Sequence, residues 1–292
     1  MNSKGHQQIA NWFKQRDWQP FPYQTETWQA VLNGKNGLLN APTGSGKTFA
    51  LFMPALIRWI NHHPETYKEL ADNGLQLLWI TPLRALAKDL VQAMQKVVYD
   101  LEIPWQVKRR TDDVSSYQKQ QLKKQMPEVL ITTPESMHIM MAQKGYPRYF
   151  EHLNCVVIDE WHELLGSKRG TQTELALSRL RGMKDDLKVW GISATIGNMQ
   201  QAKEVLLGPK DGGENTVMNE QPRGKPSGYQ QWEEGMQNLF SIYYNPPLHP
   251  SFRLIVNYFV GLNQQTNYQT PTGNLLSPSG LNPSLESILS GW

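Results

Sequence analysis

The chain has 292 residues, a formal net charge of +3 and 39% hydrophobic residues, which is enough apolar material for one large or two ordinary domains. Its one cysteine, Cys155, excludes an intramolecular disulfide. Because no secretory signal follows Met1 and no apolar run reaches the ~20 residues of a membrane span, the sequence predicts a cytoplasmic globular protein without a membrane partner.

Short apolar runs alternate with longer helical patterns through the first 208 residues. The predicted strands are 37–40, 76–81, 129–132, 155–160 and 189–193, with a weaker one at 105–108. The predicted helices are 48–59, 83–101, 115–124, 135–141, 171–182 and 200–207. Strands that are apolar along their whole length are buried on both faces, so this alternation predicts an α/β fold with a mostly parallel sheet between helices. Ligands of such sheets bind beyond the carboxyl ends of the strands.

The first predicted strand leads into a glycine-rich turn that is typical of a phosphate-binding loop. Residues 41–48 read Ala-Pro-Thr-Gly-Ser-Gly-Lys-Thr, and a predicted helix follows. The glycines let backbone N–H groups converge on one anion, and the helix adds its positive N-terminal end. Lys47 can reach the β- and γ-phosphates of ATP, and the Thr48 hydroxyl can hold Mg²⁺. Ala41 stands where the strict G-x-x-x-x-G-K-[ST] pattern has glycine.

The predicted strand 155–160 ends in two adjacent carboxylates. At a strand end beside a phosphate loop, Asp159 can bind Mg²⁺ and Glu160 can orient and deprotonate an attacking water. An isolated Asp-Glu pair is usually a solvated turn, but the apolar strand and the upstream phosphate loop favour the catalytic interpretation. The next residues lack the second histidine of H-E-x-x-H, so a zinc protease is not indicated.

Six motifs in a fixed order resemble the superfamily 2 nucleic-acid helicases of the DExH type. They are the phosphate loop and the segments 18–24, 81–86, 132–136, 159–162 and 193–195. The longer strings 159–170 and 190–198 are similar to the large helicase-related family and, within it, to the bacterial ligase-associated DEXH-box helicase. The resemblance covers residues 8–208. It implies a RecA-like domain that binds ATP and Mg²⁺ and contacts single-stranded nucleic acid.

The resemblance also implies a role for each motif residue. Gln24 would bind the adenine edge of the nucleotide, with Phe21 or Tyr23 packed near it. The residues that would bind the triphosphate are Thr43, Gly44, Ser45, Gly46, Lys47 and Thr48. Lys47, Asp159 and Glu160 would be catalytic, with Thr48 and Asp159 on the metal. Residues that would couple the nucleotide state to strand binding are His162, Ser193, Ala194 and Thr195. Residues along the strand backbone would be Pro82, Arg84, Arg109, Arg110, Thr133, Pro134 and Glu135. The segment 109–114 lacks the glycine of the Arg-Thr-Gly-Asp-Thr motif that is usual in this family.

Residues 209–292 do not continue the family pattern. About half of them are Gly, Pro, Ser, Asn or Gln, a composition typical of disorder. They also lack the Gln-x-x-Gly-Arg-x-x-Arg motif that would supply an arginine finger from a second RecA-like domain. We therefore predict an ATP-binding domain over 1–208 and an irregular or disordered tail. A truncated or frameshifted coding region would produce this pattern, and so would a divergent accessory segment.

Two functional classes follow from these motifs. In the first, the chain is the N-terminal motor domain of an ATP-dependent DNA helicase in DNA repair. The resemblance implies DNA-repair proteins such as a DNA ligase as partners, and it alone favours DNA over RNA. In the second, it binds nucleotide and nucleic acid without useful turnover, because the arginine finger is missing. An unrelated ATPase such as a transporter subunit would need a Leu-Ser-Gly-Gly-Gln signature, which the sequence lacks.

Overall fold

Seven parallel strands form one sheet in the computed structural model, which describes residues 3–42, 44–194, 199–207 and 216–219. The strands are β1 (Gly37–Asn40), β2 (Leu77–Ile80), β3 (Val107–Arg110), β4 (Val129–Thr132), β5 (Cys155–Ile158), β6 (Lys188–Ser193) and β7 (Thr216–Asn219). Their spatial order is β3-β4-β2-β5-β6-β1-β7, and each adjacent pair is parallel. The predicted α/β class and parallel sheet are confirmed.

The central strands are apolar throughout because both faces of the sheet are covered. β2 and β4 are buried at every position. Successive side chains of β2 enter opposite cores: Trp79 packs in one apolar cluster, whereas Leu78 and Ile80 pack in the other. This alternation is the normal pleat of a strand, and burial on both faces removes the polar positions that a half-exposed strand would show.

Helices precede and connect the strands. They are α1 (Lys4–Lys14), α2 (Pro22–Leu32), α3 (Lys47–His62), α4 (Arg84–Asp100), α5 (Ser116–Lys124), α6 (Pro134–Met141), α7 (Trp161–Leu164), α8 (Lys168–Arg181) and α9 (Met199–Leu207), with a 3₁₀ turn at Tyr146–Phe150. The six predicted helices are present as α3, α4, α5, α6, α8 and α9, with ends that differ by up to three residues. In the described part of the chain, no helix combines the length and apolarity that crossing a bilayer would require.

Strand β7 lies within the segment that was predicted as an irregular tail. It pairs with β1 in register, from Gly37 opposite Thr216 to Asn40 opposite Asn219. The sheet therefore continues past residue 208. This strand corrects the prediction at 216–219. The prediction of irregular structure for the rest of 209–292 falls outside the described residues.

Candidate functional site

The phosphate loop joins the end of β1 to the start of α3 at the carboxyl edge of the sheet. Gly44 and Gly46 have positive φ angles of 82° and 84°, a left-handed conformation that favours glycine. Gly46 is the N-cap of α3 and makes no side-chain cap; the Phe49 N–H donates to the Gly46 carbonyl, while the Lys47 and Thr48 N–H groups have no backbone partner in the described residues and stay available to an anion. Thr43, predicted to touch the triphosphate, lies outside the described residues.

Lys47 is the cation of this loop. It is only 8% exposed, yet its Nζ has no hydrogen-bond partner among the described residues. A buried ammonium without an acceptor is unfavourable, so the site is complete only when an anion enters it. Phosphate oxygens are suitable acceptors, because a charge-assisted hydrogen bond is stronger than a neutral one. The loop therefore fits the phosphates of a nucleoside triphosphate.

Two side chains of α2 donate hydrogen bonds to backbone carbonyls of the phosphate loop. Tyr23 donates its hydroxyl proton to the Ser45 carbonyl at 2.5 Å, and Gln24 donates from Nε2 to the Gly46 carbonyl at 2.9 Å. The Gln24 oxygen accepts the Phe21 N–H at 2.8 Å, which caps α2. A Cβ on Gly46 would lie 2.7 Å from Gln24 Nε2, so a side chain at this position would displace the Gln24 amide from the loop. Gln24 thus supports the loop, and its predicted contact with adenine stays a prediction.

Asp159 follows β5 and lies close enough to Lys47 for the two charges to interact. It is 8% exposed, and its carboxylate accepts hydrogen bonds from Trp79 Nε1 at 3.2 Å and from the Glu160 N–H at 3.0 Å. Burial and then the neighbouring charge of Glu160 raise the pKa of Asp159 to about 6, while Trp79 and Lys47 oppose the shift. A cation would relieve this cost and favour the ionised carboxylate.

The predicted metal ligands carry oxygen atoms. The Asp159 carboxylate and the Thr48 hydroxyl, the two predicted ligands, would offer the hard oxygen atoms that Mg²⁺ prefers. No group of three or more His, Cys, Asp or Glu side chains in the described ranges is arranged to hold a metal alone. Phosphate oxygens and water would therefore have to complete an octahedral shell, which is how Mg²⁺ usually binds beside nucleotides.

Glu160, His162 and Ser193 come together at the ends of β5 and β6. His162 Nδ1 lies 3.2 Å from Ser193 Oγ and 3.4 Å from Glu160 Oε2. Glu160 has a left-handed φ of 47°, an uncommon conformation for a non-glycine residue that is held here at the start of α7. The geometry brings together the predicted water-activating carboxylate and two of the predicted coupling residues. Ala194 adjoins them half-buried, and Thr195 lies outside the described residues.

The predicted strand-binding residues have different environments. Arg84 is the exposed first residue of α4, whose N-cap makes no side-chain hydrogen bond. Thr133 caps α6 through the Ser136 N–H at 3.4 Å and is buried, as are Pro134 and Pro82. Arg84 is therefore the one of these four that presents a side-chain cation to the surface, whereas the other three shape the turns that follow β2 and β4.

The two arginines at the end of β3 are engaged within the chain. Arg110 is 5% exposed and donates to the Ser136 carbonyl at 2.5 Å, so its side chain supports α6 from the interior. This placement corrects the prediction of a surface contact by Arg110. Arg109 donates to Asp113 at 2.7 Å and to Thr111 at 2.9 Å. Hydrogen bonds from Thr111 and then Arg109 lower the pKa of Asp113 to about 2, so the charge of Arg109 is already paired at neutral pH.

The sequence did not indicate the hydrogen bonds that three side chains make around the site. Trp79 and Tyr23 bond Asp159 and the phosphate loop, but an apolar strand and a helical segment gave no sign of these hydrogen bonds. Arg169 donates to Glu135 Oε1 at 2.5 Å and to the Pro82 carbonyl at 3.3 Å. The sequence marked Arg169 only as a member of the segment 159–170, which resembles the large helicase-related family.

Comparison with known proteins gives one family and several longer relatives. The DEAD/DEAH box helicase family matches residues 21–203. The ATP-dependent helicase Lhr-Core of Sulfolobus acidocaldarius is 34% identical over 209 residues, which cover 69% of this chain and 24% of that protein. The Lhr helicase/uracil glycosylase of Escherichia coli is 32% identical over 212 residues, covering 68% of this chain and 14% of that protein.

Solved structures share the fold. The Mycobacterium smegmatis helicase Lhr bound to single-stranded DNA and AMP-PNP has a TM-score of 0.61 at 23% identity, covering 99% of this chain and 39% of that one. The DEAD-box helicase Mss116 bound to single-stranded RNA has a TM-score of 0.57 at 21% identity, covering 68% and 40%. The chain thus spans about a quarter or less of the two curated relatives above.

Proposed function

Because the chain belongs to the DEAD/DEAH box helicase family, we propose that it is the ATP-binding motor domain of an ATP-dependent DNA helicase. The enzyme class is that of its relatives, which are named ATP-dependent helicases. The observation that best supports ATP binding by this chain is the buried Lys47 ammonium, which lacks a partner in the described residues and lies in a glycine loop at an uncapped helix start.

The proposed roles follow from the chemistry of each group. ATP supplies the γ-phosphoryl group that is transferred to water. Lys47 neutralises charge on the β- and γ-phosphates, and Thr48 with Asp159 holds Mg²⁺. Glu160 orients the attacking water and accepts its proton. His162 and Ser193 link the Glu160 side chain to the end of β6, so a change at the γ-phosphate can reach the neighbouring strand ends.

Single-stranded DNA is the proposed partner. The M. smegmatis Lhr structure contains single-stranded DNA, whereas Mss116 is bound to RNA, so the choice of DNA follows the Lhr-type relatives. A role in DNA repair, an association with a DNA ligase, a cytoplasmic location and a motor domain that starts near residue 1 and ends near 208 or shortly after β7 belong to the same proposal. They rest on the motif resemblance and on the course of the sheet.

A module that binds without useful turnover is the second candidate. It is favoured by the absence of a Gln-x-x-Gly-Arg-x-x-Arg motif from this sequence. An arginine finger is worth on the order of 10³–10⁵ in rate. Calorimetry with Mg-AMP-PNP and a steady-state ATPase assay with and without single-stranded DNA separate the candidates. Binding with DNA-stimulated hydrolysis supports the motor domain, binding without hydrolysis supports the module, and no nucleotide binding overturns both.

Arg84→Ala should weaken single-strand binding by about threefold to tenfold, because a cation at a helix start is lost from the phosphodiester backbone. The loss should be similar for different base sequences, since backbone contacts carry no sequence information. The dependence of the logarithm of affinity on the logarithm of salt concentration should become shallower by about 0.7. Fluorescence anisotropy with labelled oligonucleotides at several salt concentrations measures both quantities.

Two variants accompany this measurement. Arg58→Ala removes another exposed arginine, on the far half of α3, and should leave the affinity within about twofold. Asp113→Asn removes the carboxylate that pairs with Arg109 and should tighten binding by about twofold, because the Arg109 charge is released. A strong sequence preference, or an equal loss in Arg58→Ala, would contradict the proposed role of Arg84.

A further inference from the structure

Arg169 touches both turns that follow the neighbouring strands β2 and β4. Its Nε donates to Glu135 Oε1 at 2.5 Å, and its Nη1 donates to the Pro82 carbonyl at 3.3 Å. Pro82 lies just before α4, which begins at Arg84, and Glu135 lies in the first turn of α6. One guanidinium therefore ties together the starts of the two helices that carry the predicted strand-binding motifs.

The chain fixes Arg169 by close packing at the start of α8. Ser167 caps this helix by accepting the Gly170 N–H at 3.1 Å. A Cβ on Gly170 would lie only 2.0 Å from the Leu164 carbonyl oxygen, so glycine alone allows α8 to approach the end of α7. Because α7 begins directly after Asp159 and Glu160, the position of Arg169 is tied to the carboxylate motif by a short segment of defined backbone.

Charge explains why this arginine is needed at the surface. Burial raises the pKa of Glu135, but hydrogen bonds from its own backbone N–H and from Arg169 outweigh burial and leave the pKa lowered, so the carboxylate is ionised at neutral pH. An unpaired carboxylate would repel a phosphodiester backbone. Arg169 cancels this charge, and the resemblance-based assignment of Glu135 as a strand contact is thereby modified: Glu135 holds the arginine.

Among the described residues, the guanidinium also keeps donors for a ligand. Arginine has five N–H donors, and the two contacts described above use two of them. The Arg169 side chain is 48% exposed, compared with 33% for Glu135. Its planar fork suits bidentate binding of a phosphate group better than a lysine ammonium does.

We propose that Arg169 is a further strand-binding residue, which braces the two turns at Pro82 and Glu135 and donates its free N–H groups to a phosphodiester of the bound single strand. This inference rests on the proposed function, because it presumes that the chain binds nucleic acid. It extends the strand-binding surface from the starts of α4 and α6 to the start of α8.

The test compares Arg169→Ala, Arg169→Lys and the double variant Arg169→Ala/Glu135→Gln in the full chain. Affinity for fluorescein-labelled oligothymidylate is measured by anisotropy over a salt series, and Mg-AMP-PNP affinity by calorimetry. Arg169→Ala should weaken strand binding about tenfold and make the salt dependence shallower by about 0.7, with nucleotide affinity changed by less than about twofold. Arg169→Lys should restore part of the affinity, since it keeps the charge and loses the fork.

The double variant separates a phosphate contact from a purely structural brace. Removing the unpaired Glu135 charge should recover about threefold of the affinity lost in Arg169→Ala, because the carboxylate no longer repels the strand. A brace alone predicts further loss and an unchanged salt dependence, which would overturn the proposal. Arg179→Ala is the matched control, since Arg179 lies on the same helix and contacts Tyr146.

Measurements on the wild-type chain separate the role of Arg169 from nucleic-acid binding by the chain as a whole. If wild-type chain binds oligothymidylate and Arg169→Ala binds it equally well, only the role of Arg169 is overturned. If wild-type chain binds Mg-AMP-PNP and no single strand, both nucleic-acid binding and the role of Arg169 are overturned. Equal losses in Arg169→Ala and Arg179→Ala would also overturn the proposal, because they would indicate a general effect of charge on α8.

Discussion

Replacement of Lys47 by alanine is expected to weaken Mg-ATP binding by about tenfold or more, because a charge-assisted contact to the phosphates is lost. The same change should leave the nucleotide-free protein as stable as before, or more stable. The Lys47 ammonium is 8% exposed and has no hydrogen-bond partner in the described part of the chain, so its removal leaves no orphaned acceptor. The desolvation cost of a buried ammonium is removed as well, and this offsets the lost attraction between Lys47 and the buried Asp159 carboxylate. Calorimetry and thermal unfolding measure the two effects.

The opposite signs of these effects distinguish a ligand-binding lysine from a structural one. A structural lysine would lose stability and nucleotide affinity together. Arg58→Ala, on the same helix but at the opposite edge of the sheet from the loop, serves as the control and should change nucleotide affinity by less than about twofold. Unchanged Mg-ATP affinity in Lys47→Ala would refute the assignment of the phosphate loop.

The central sheet was predictable because its strands are apolar on both faces. β1 and β4 begin and end at the predicted residues. β5 ends two residues before the predicted bound: the Asp159 N–H still donates to the Ile80 carbonyl of β2, but Glu160 takes a left-handed φ of 47° that no extended strand can continue. Burial on both faces leaves a continuous apolar run in the sequence, which local inspection finds. The phosphate loop was also predictable from local sequence, because Gly44 and Gly46 take positive φ angles that favour glycine.

Elements that depend on a partner were harder to find. β7 has four residues in a polar, glycine-containing stretch, and it exists as a strand through its hydrogen bonds to β1. Strand propensity depends strongly on the neighbouring strand, so no local pattern indicated it. Helix α1 is similar: Ile9, Trp12 and Phe13 form its buried face, and their meaning becomes clear only when α3 lies against them.

The partners of charged residues were the least predictable part of the site. Arg109 and Arg110 are adjacent on one strand, yet Asp113 pairs with the first and the Ser136 carbonyl binds the second in the interior. Alternation along a strand separates the two side chains, and tertiary contacts decide which one reaches the surface. Sequence motifs therefore do not reveal which of two adjacent arginines reaches the surface.

Replacement of Glu160 by glutamine should reduce ATP hydrolysis by about 10²–10⁴-fold, the loss expected when a general base is removed. Binding of Mg-nucleotide should be retained or become tighter. The charge of Glu160 is one of the causes that raise the pKa of Asp159 to about 6. Removing that charge lowers the pKa of Asp159 and favours the ionised form that holds the metal. Single-turnover hydrolysis with enzyme in excess and calorimetry with Mg-AMP-PNP measure the two quantities.

Glu163→Gln is the matched control for this experiment. Glu163 Oε1 lies 3.5 Å from His162 Nε2, and Glu160 Oε2 lies 3.4 Å from Nδ1 of the same ring, so both carboxylates interact with His162. Glu163 is 62% exposed, however, and Glu160 only 17%, which leaves Glu160 as the carboxylate enclosed with Asp159. Hydrolysis by Glu163→Gln should stay within about twofold of the wild-type rate. Loss of Mg-nucleotide binding in Glu160→Gln would instead mean that Glu160 is structural, since its left-handed backbone also starts α7.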